Sequence, residues 1–597
     1  MMEIREDLGP VRQRAMVLLL AVFLVFGALH LRVAQLQLIE GAHWRRMAEN
    51  NRLRRLPLAA TRGRIYDRRG HVLADNLPTW NLLLFPDEAR NLDETLLFVA
   101  DLGIDEAFSL HRRVNKRGAD RLAPMVVGEN LDWRQVASVR SHQSDHPELS
   151  VVAGFRRHYP LGRATAHTVG YLRLVSEEEF EANPQLDPNS RVGATGIEAL
   201  ADDFLTGQPG ERWVVVSALG RQLGVVRENP SASGKDLAVT LDADLQQVAA
   251  EALGERSGAV AAIDPRNGAV RVLYSAPSFD PELFSGKLSP EDWKDLSDDP
   301  RHPLQDRCLQ GTYPPGSTIK PFFALAALAE GLITPDWTVQ CTGAVVLHGH
   351  RFRCWRRGGH GRVNLSRSIE ASCDIYYYQV GQRLGIDRMA RWLKTFGFGH
   401  RTGIGLPSEA AGLIGNPEWS RRVRGTPWYP GEAVSVSIGQ GPVLATTIQL
   451  ARAFAVLANG GRLVTPYVVV DPESADPIDL GLNPSDLARI RQGLDLVVHG
   501  DRGTARSLAR LPVAGKTGTA QVVRLQEGID SDDLAPHLRH HAWFVGWAPI
   551  EEPRLVVALI VEHGGGGGSI AAPTASAIFS AALGEEGDSQ SEQRLRE

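Results

Sequence analysis

Several things are scarce or missing in this sequence. There is no basic stripe interleaved with aromatics, and the formal net charge is only −5, which sets a nucleic-acid partner aside. There is no collagen-like or disordered bias: hydrophobic residues make up 43% and charged residues 23%, as in folded globular proteins. No internal repeat is visible. Cysteine is scarce, four in 597 residues, so each can be followed individually. Long apolar runs are also scarce. Ala15 to Leu31 is apolar except for Gly27 and His30, and the run extends through Val33. It matches a membrane span of roughly 17–25 residues. A cleaved signal peptide is the competing reading, but the apolar core is long for one and no small-x-small cleavage site follows.

A chain of 597 residues is too long for one ordinary core, so two or three domains are expected. Charge does not set the orientation of the span. Arg5, Arg12 and Arg14 flank one side and Arg32, Arg45, Arg46 and Arg52 the other, and large domains cross a membrane despite such charges.

The chemistry lies in three motifs. Ser317-Thr318-Ile319-Lys320 follows the turn-rich Gly311-Thr312-Tyr313-Pro314-Pro315-Gly316 and opens an apolar helix that runs to Gly331. The serine hydroxyl is then near the positive end of a helix, with Lys320 one turn on, along the same face. A buried lysine beside a second cation loses basicity and can take the serine proton; Lys516 would be that cation. Ser372-Cys373-Asp374 comes next, with Ser372 as a proton relay and Asp374 orienting the network. Lys516-Thr517-Gly518-Thr519 follows on a strand of small residues. There Gly518 would let a peptide lie alongside as an added strand. Lys516 and Thr517 would hold a carboxylate, and the N–H groups of Ser317 and Thr519 would form an oxyanion hole. One S-x-x-K is weak evidence; three motifs in this order are strong.

On these residues the chain resembles the class B penicillin-binding proteins, and among them the elongation-type penicillin-binding protein 2 family. Arg62-Gly63-Arg64-Ile65-Tyr66-Asp67-Arg68-Arg69-Gly70, Leu73-Ala74-Asp75-Asn76 and Gly193-Ala194-Thr195-Gly196-Ile197-Glu198 match that family's pedestal motifs. Ser437-Ile438-Gly439-Gln440-Gly441 and His541-Ala542-Trp543-Phe544-Val545-Gly546 match its transpeptidase segments. The second motif ends in Asp374 where much of the superfamily has asparagine, a form familiar in the elongation branch. The resemblance implies an α+β penicillin-binding/serine-transpeptidase fold, an antiparallel sheet packed by helices, behind an N-terminal pedestal domain and one transmembrane helix. Residues 1–14 would be cytoplasmic, 15–34 the span, 35–230 the pedestal and 236–585 the transpeptidase domain. The polar tail 586–597 is expected to fray. Arg62 to Arg69 are expected to serve structural hydrogen bonding rather than polyanion binding.

Cys341, Cys354, His360 and Cys373 follow a C-x12-C-x5-H-x12-C spacing. Three thiolates and an imidazole make a tetrahedral zinc set, but an extracytoplasmic location also permits disulfides. The resemblance favours zinc, because elongation-type relatives carry a zinc site here. Some of those relatives have aspartates where this chain has Cys341 and Cys354, so the ligand set would be a variant.

The expected function is a peptidoglycan D,D-transpeptidase of the bacterial inner membrane with a periplasmic catalytic domain, acting on stem peptides and trapped by β-lactams. Its expected partners are a membrane-embedded glycan polymerase and other elongation-complex proteins. A D,D-carboxypeptidase or β-lactamase-like hydrolase is the alternative, but no glutamate is evident that would activate water for fast deacylation. A non-catalytic β-lactam sensor or scaffold is the third; a sensor would have several spans, and one is visible.

Overall fold

The protein is described from a computed structural model covering residues 9–40, 53–116, 124–182, 190–217, 222–470, 476–523 and 533–596. Arg5, Arg45, Arg46 and Arg52 lie outside these residues, as does most of the expected cytoplasmic segment. Helix α1 (Gly9–Ala34) carries the apolar run. An 18-residue window within Gln13–Ile39 has a mean hydropathy of 2.4 and none of it is buried in protein, which suits a helix facing lipid.

Packing divides the chain into two compact units. The first comprises Met1–Ala60, Pro78–Phe155 and Gln208–Ala232. In it, β1 (Leu53–Leu58), β2 (Gly210–Val216) and β3 (Gln222–Asn229) form an antiparallel sheet in the order β1-β2-β3. A separate core of Leu82, Leu84, Leu96, Val99, Val127, Val136 and Leu149 is fully buried or nearly so. The helix expected at Asp93 to Leu102 runs Leu92–Asp101, and its N-cap Asn91 accepts from the Glu94 N–H.

The second unit comprises Thr61–Leu77, Arg156–Gly207 and Ser233–Glu597. Thus Thr61–Leu77 and Arg156–Gly207, both within the expected 35–230 segment, pack with Ser233–Glu597. The segments bearing Arg62 to Asn76 and Gly193 to Glu198 fold with the elements of the three motifs. Charge pairing explains this. Glu198, fully buried, accepts from Arg62 Nε at 2.6 Å and Arg157 Nε at 2.7 Å, while Arg64 pairs with Asp75 and Arg68 with Asp242, both at 2.8 Å. These arginines serve structural pairing, as expected. Each buried charge has a partner, without which burial would be prohibitive.

The central sheet of this unit holds β4 (Gly258–Ile263), β5 (Val270–Ala276), β6 (Ala514–Ala520), β7 (His541–Ala548) and β8 (Leu555–Val561), all antiparallel in the order β5-β4-β8-β7-β6. β4 and β5 are the hairpin expected around Asp264 to Gly268. β8 reads LVVALIV and is buried throughout, because helices cover both faces of the sheet. α2 (Ala243–Leu253) starts at its N-cap Asp242 and packs on β5. α3 (Lys320–Ala329), α4 (Leu365–Glu370) and α5 (Asp374–Thr395) follow. α6 (Thr447–Ala458) has every residue buried and packs against β4, β7 and β8, while α7 (Pro484–His499) lies on β6. α8 (Ala572–Arg596) packs with α2 and continues through the tail expected to fray; glutamate, glutamine and arginine there are good helix formers. The strand expected over Leu237 to Leu241 shortens to Leu237–Ala238. The α+β architecture with an antiparallel, helix-packed sheet is as expected. It leaves β6, with the third motif, as the sheet's outer strand.

Candidate active site

The approach to Ser317 is fixed by glycine. Gly316 has φ +56°, and a Cβ there would sit 2.6 Å from the Thr519 carbonyl oxygen. Only glycine lets the nucleophile loop close on β6, which brings Ser317 and Thr519 side by side. Residues Gly316–Ile319 form a 3-10 turn, and the α-helix proper starts at Lys320, three residues later than the sequence implied. Ser317 is partly open to solvent, while Thr318, Ile319 and Lys320 are buried.

Lys320 Nζ donates to Asp374 Oδ1 at 2.6 Å, to the Ser372 carbonyl at 2.9 Å and to Ser372 Oγ at 3.3 Å. It also lies 5.4 Å from the centre of the Tyr377 ring. The first two motifs therefore meet through this lysine. Ser372 is held at φ +53°, a backbone state costing a non-glycine residue about 1–2 kcal/mol; strain of this kind clusters at functional sites. Asp374 is the first residue of α5, where the helix dipole favours a carboxylate. Its other oxygen accepts from the Trp355 N–H at 2.8 Å. Burial pushes the Asp374 carboxyl up, opposed by Lys320.

Lys516 is fully buried on β6, with its ammonium on the Thr517 carbonyl at 3.1 Å. Burial, and secondarily the Lys320 charge, pull it well below the usual lysine range, with Asp374 opposing. The sequence cast Lys516 as the cation that depresses Lys320. In the folded protein burial, with the Lys320 charge nearby, lowers Lys516 itself, and Lys320 has the Asp374 carboxylate beside it.

Thr517 Oγ1 lies 2.6 Å from Thr504 Oγ1. Gly518 also has a role inside the protein that the sequence did not show. A Cβ on it would meet Thr318 Cγ2 at 2.8 Å, and the Pro315 oxygen and Trp543 Cβ at 3.0 Å each. The missing side chain makes room for the nucleophile loop. Gln440, noted in the sequence only within its segment, donates to the Thr519 carbonyl at 2.9 Å and accepts from the Gln521 N–H at 3.3 Å. Gly439 accepts from the Gly316 N–H at 2.9 Å. This segment thus clamps both the nucleophile loop and β6, a role its match to the family's segments did not reveal. Sequence reasoning also missed Thr504 and Trp355.

The three cysteines and the histidine come together. The ligand atoms of Cys341, Cys354, His360 and Cys373 all lie within 4.8 Å of one another, and all four residues are buried. His360 Nδ1 is 3.6 Å from Cys341 Sγ and 3.4 Å from Cys354 Sγ. Tetrahedral zinc, with bonds of about 2.3 Å to sulfur and 2.0–2.1 Å to nitrogen, spaces neighbouring ligands by roughly these distances. All four cysteines of the chain are free thiols. Cys308 is apart, its thiol on the Val260 and Tyr274 carbonyls at 3.2 Å each. Cys373 lies between Ser372 and Asp374, so the cluster and the second motif share one turn of backbone.

Residues 258–580 match the penicillin binding protein transpeptidase domain, and residues 57–239 the penicillin-binding protein dimerisation domain. The chain is 36% identical over 593 residues to the peptidoglycan D,D-transpeptidase MrdA of Haemophilus influenzae, covering 95% of this chain and 91% of that protein. It is 35% identical over 583 residues to MrdA of Escherichia coli K12, covering 92% and 91%. Among solved structures, a complex between penicillin-binding protein 2 and MreC from Helicobacter pylori superposes with a TM-score of 0.77 at 27% identity, covering 89% of this chain and 98% of that one. Penicillin-binding protein 2 of Pseudomonas aeruginosa in complex with WCK 5153 gives 0.66 at 33% identity, covering 89% and 97%.

Proposed function

The chain belongs to the penicillin-binding protein 2 (MrdA) family and is a serine-type peptidoglycan D,D-transpeptidase, and from that membership we propose how its own residues divide the work. Ser317 attacks the carbonyl between the two terminal D-alanines of a stem peptide. Its proton passes into the Lys320–Ser372–Lys516 network as the acyl bond forms. The N–H groups of Ser317 and Thr519 hold the oxyanion. The leaving D-alanine takes a proton through Ser372; an amine on a second strand then attacks the acyl carbonyl, its proton passing through the same network to Ser317 Oγ as the ester bond breaks. Thr517 and Lys516 hold the terminal carboxylate, and the donor peptide pairs along the open edge of β6. With its carboxylate at Thr517 and its carbonyl at Thr519, that peptide runs antiparallel to β6. The convergence of Lys320 on both Ser372 and Asp374 is the observation that carries this reading.

Cys341, Cys354, His360 and Cys373 would hold a structural zinc. Bound there, the ion supplies rigidity and no chemistry to the acyl transfer, and it anchors the backbone on both sides of Cys373. α1 anchors the protein once in the bacterial inner membrane with the catalytic unit periplasmic, and its partners are elongation-complex proteins, including a membrane-embedded glycan polymerase. A water-accepting hydrolase, whether carboxypeptidase or β-lactamase-like, is the competing outcome.

Intact-mass spectrometry with benzylpenicillin tests the proposal. A stable adduct on the wild type that is absent from Ser317→Ala is expected. An adduct that clears within seconds would replace the transferase with a hydrolase. No adduct on folded protein would refute the assignment of Ser317.

A further inference from the structure

Thr504 lies on the loop after α7, outside all three motifs. Its hydroxyl is 2.6 Å from that of Thr517, and its loop is fixed from three directions. Glu370, buried at the end of α4, accepts from the Arg502 N–H at 2.9 Å and pairs with Arg367 at 2.8 Å. The Ala505 N–H donates to the Val497 carbonyl at 2.9 Å. The Thr504 carbonyl approaches Gly568 so closely that a Cβ there would lie 2.3 Å from it. Two residues beyond Glu370 the chain reaches Ser372. One buried carboxylate thus sets both the helix leading into the second motif and the loop facing the third.

The consequence is directional. A hydroxyl has one proton and two acceptor lone pairs. When two hydroxyls lie 2.6 Å apart, one donates and the other accepts. If Thr517 gave its proton to Thr504, it would present only lone pairs to a carboxylate and repel it. If Thr504 donates to Thr517, the Thr517 proton is free to point at the incoming anion. A carboxylate beside the site selects the second arrangement, because a charge-assisted hydrogen bond is about twice as strong as a neutral one.

We propose that Thr504 is a positioning residue for the transpeptidase reaction: it donates to Thr517, turning the Thr517 hydroxyl into a donor for the terminal carboxylate of the donor stem peptide. This rests on the reading of Thr517 as the carboxylate-binding residue. Thr504 itself does not touch substrate. Glu370 supports it by holding the loop in register with β6.

The test is the second-order acylation rate constant with benzylpenicillin, which has a carboxylate, and with its methyl ester, which has none. Both are measured on the full-length protein for wild type, Thr504→Val and Thr504→Ser. Valine keeps the shape but cannot donate; serine restores the hydroxyl. Thr504→Val is expected to acylate roughly ten-fold more slowly with the acid, the size of one lost charge-assisted hydrogen bond, and within about two-fold of wild type with the ester. Thr504→Ser is expected to recover most of the loss. An equal loss for both compounds would mean a displaced loop rather than an oriented hydroxyl, and would overturn the proposal. So would unchanged rates with the acid. Failure of the wild type to form any adduct would remove the underlying transpeptidase reading, and this proposal with it.

Discussion

Replacing Lys516 by methionine should make the protein more stable while abolishing its chemistry. The lysine is fully buried and its nitrogen has one hydrogen-bond acceptor, the Thr517 carbonyl at 3.1 Å. Burial and the nearby Lys320 charge both disfavour its protonated form. Methionine has a similar length, fills the same space and has nothing to desolvate. Exchanging buried charged groups for well-packed apolar ones is neutral to stabilising by about 1–4 kcal/mol. Unfolding entropy of about 2.1 cal/mol/K per residue, over roughly 350 residues, converts that to a rise of roughly 1–5 °C in Tm. The pH dependence has a definite sign. The folded-state pKa is depressed below that of the unfolded chain, so between the two values the unfolded state binds more protons and wild-type stability rises with pH. The advantage of Lys516→Met should therefore be larger at pH 7 than at pH 10, shrinking as pH rises toward the unfolded lysine value. Scanning calorimetry at several pH values, with benzylpenicillin acylation alongside, checks both halves. A variant less stable than wild type at pH 7, or an advantage that grows with pH, would refute the account of Lys516 as a destabilised buried amine.

Other expectations follow from the same geometry. Glu198→Ala leaves Arg62 and Arg157 buried without their shared carboxylate and should cost about 3–5 kcal/mol; a chemical-denaturation midpoint unchanged from wild type would count against it. Gly518→Ala forces its Cβ against Thr318, Pro315 and Trp543, at about 1–3 kcal/mol, and should slow acylation more than ten-fold by displacing the nucleophile loop; acylation within two-fold of wild type would contradict this. Metal analysis should find one zinc per chain, and chelation should lower both Tm and the acylation rate, more readily in acid because the thiolate ligands must stay deprotonated. Fully active protein without zinc would disprove the metal's bracing role.

How much of the site is legible in sequence depends on how far apart its parts lie. The apolar N-terminal helix, the turn before Ser317, the hairpin around Asp264 and the strand of small residues at Lys516 are written in contiguous windows, where periodicity, glycine and proline act locally. While the spacing of Cys341, Cys354, His360 and Cys373 left zinc and disulfide both open, the three motifs likewise pointed to the chemistry without reference to distance. The partnerships did not have that property. Lys320 reaches Asp374 across 54 positions and Gln440 reaches Thr519 across 79. Arg62 meets Glu198 across 136, joining the two pedestal motifs, and Arg68 meets Asp242 at the start of α2 across 174. Thr504 lies only 13 positions from Thr517, yet nothing in its neighbours marks it, since its role exists only once α7 and β6 pack. The sequence alone therefore determined which residue types are available and in what order. Tertiary packing decided how deeply Lys516 is buried and what the missing side chain of Gly518 makes room for, because burial and Coulomb interaction depend on distances that only the folded chain defines.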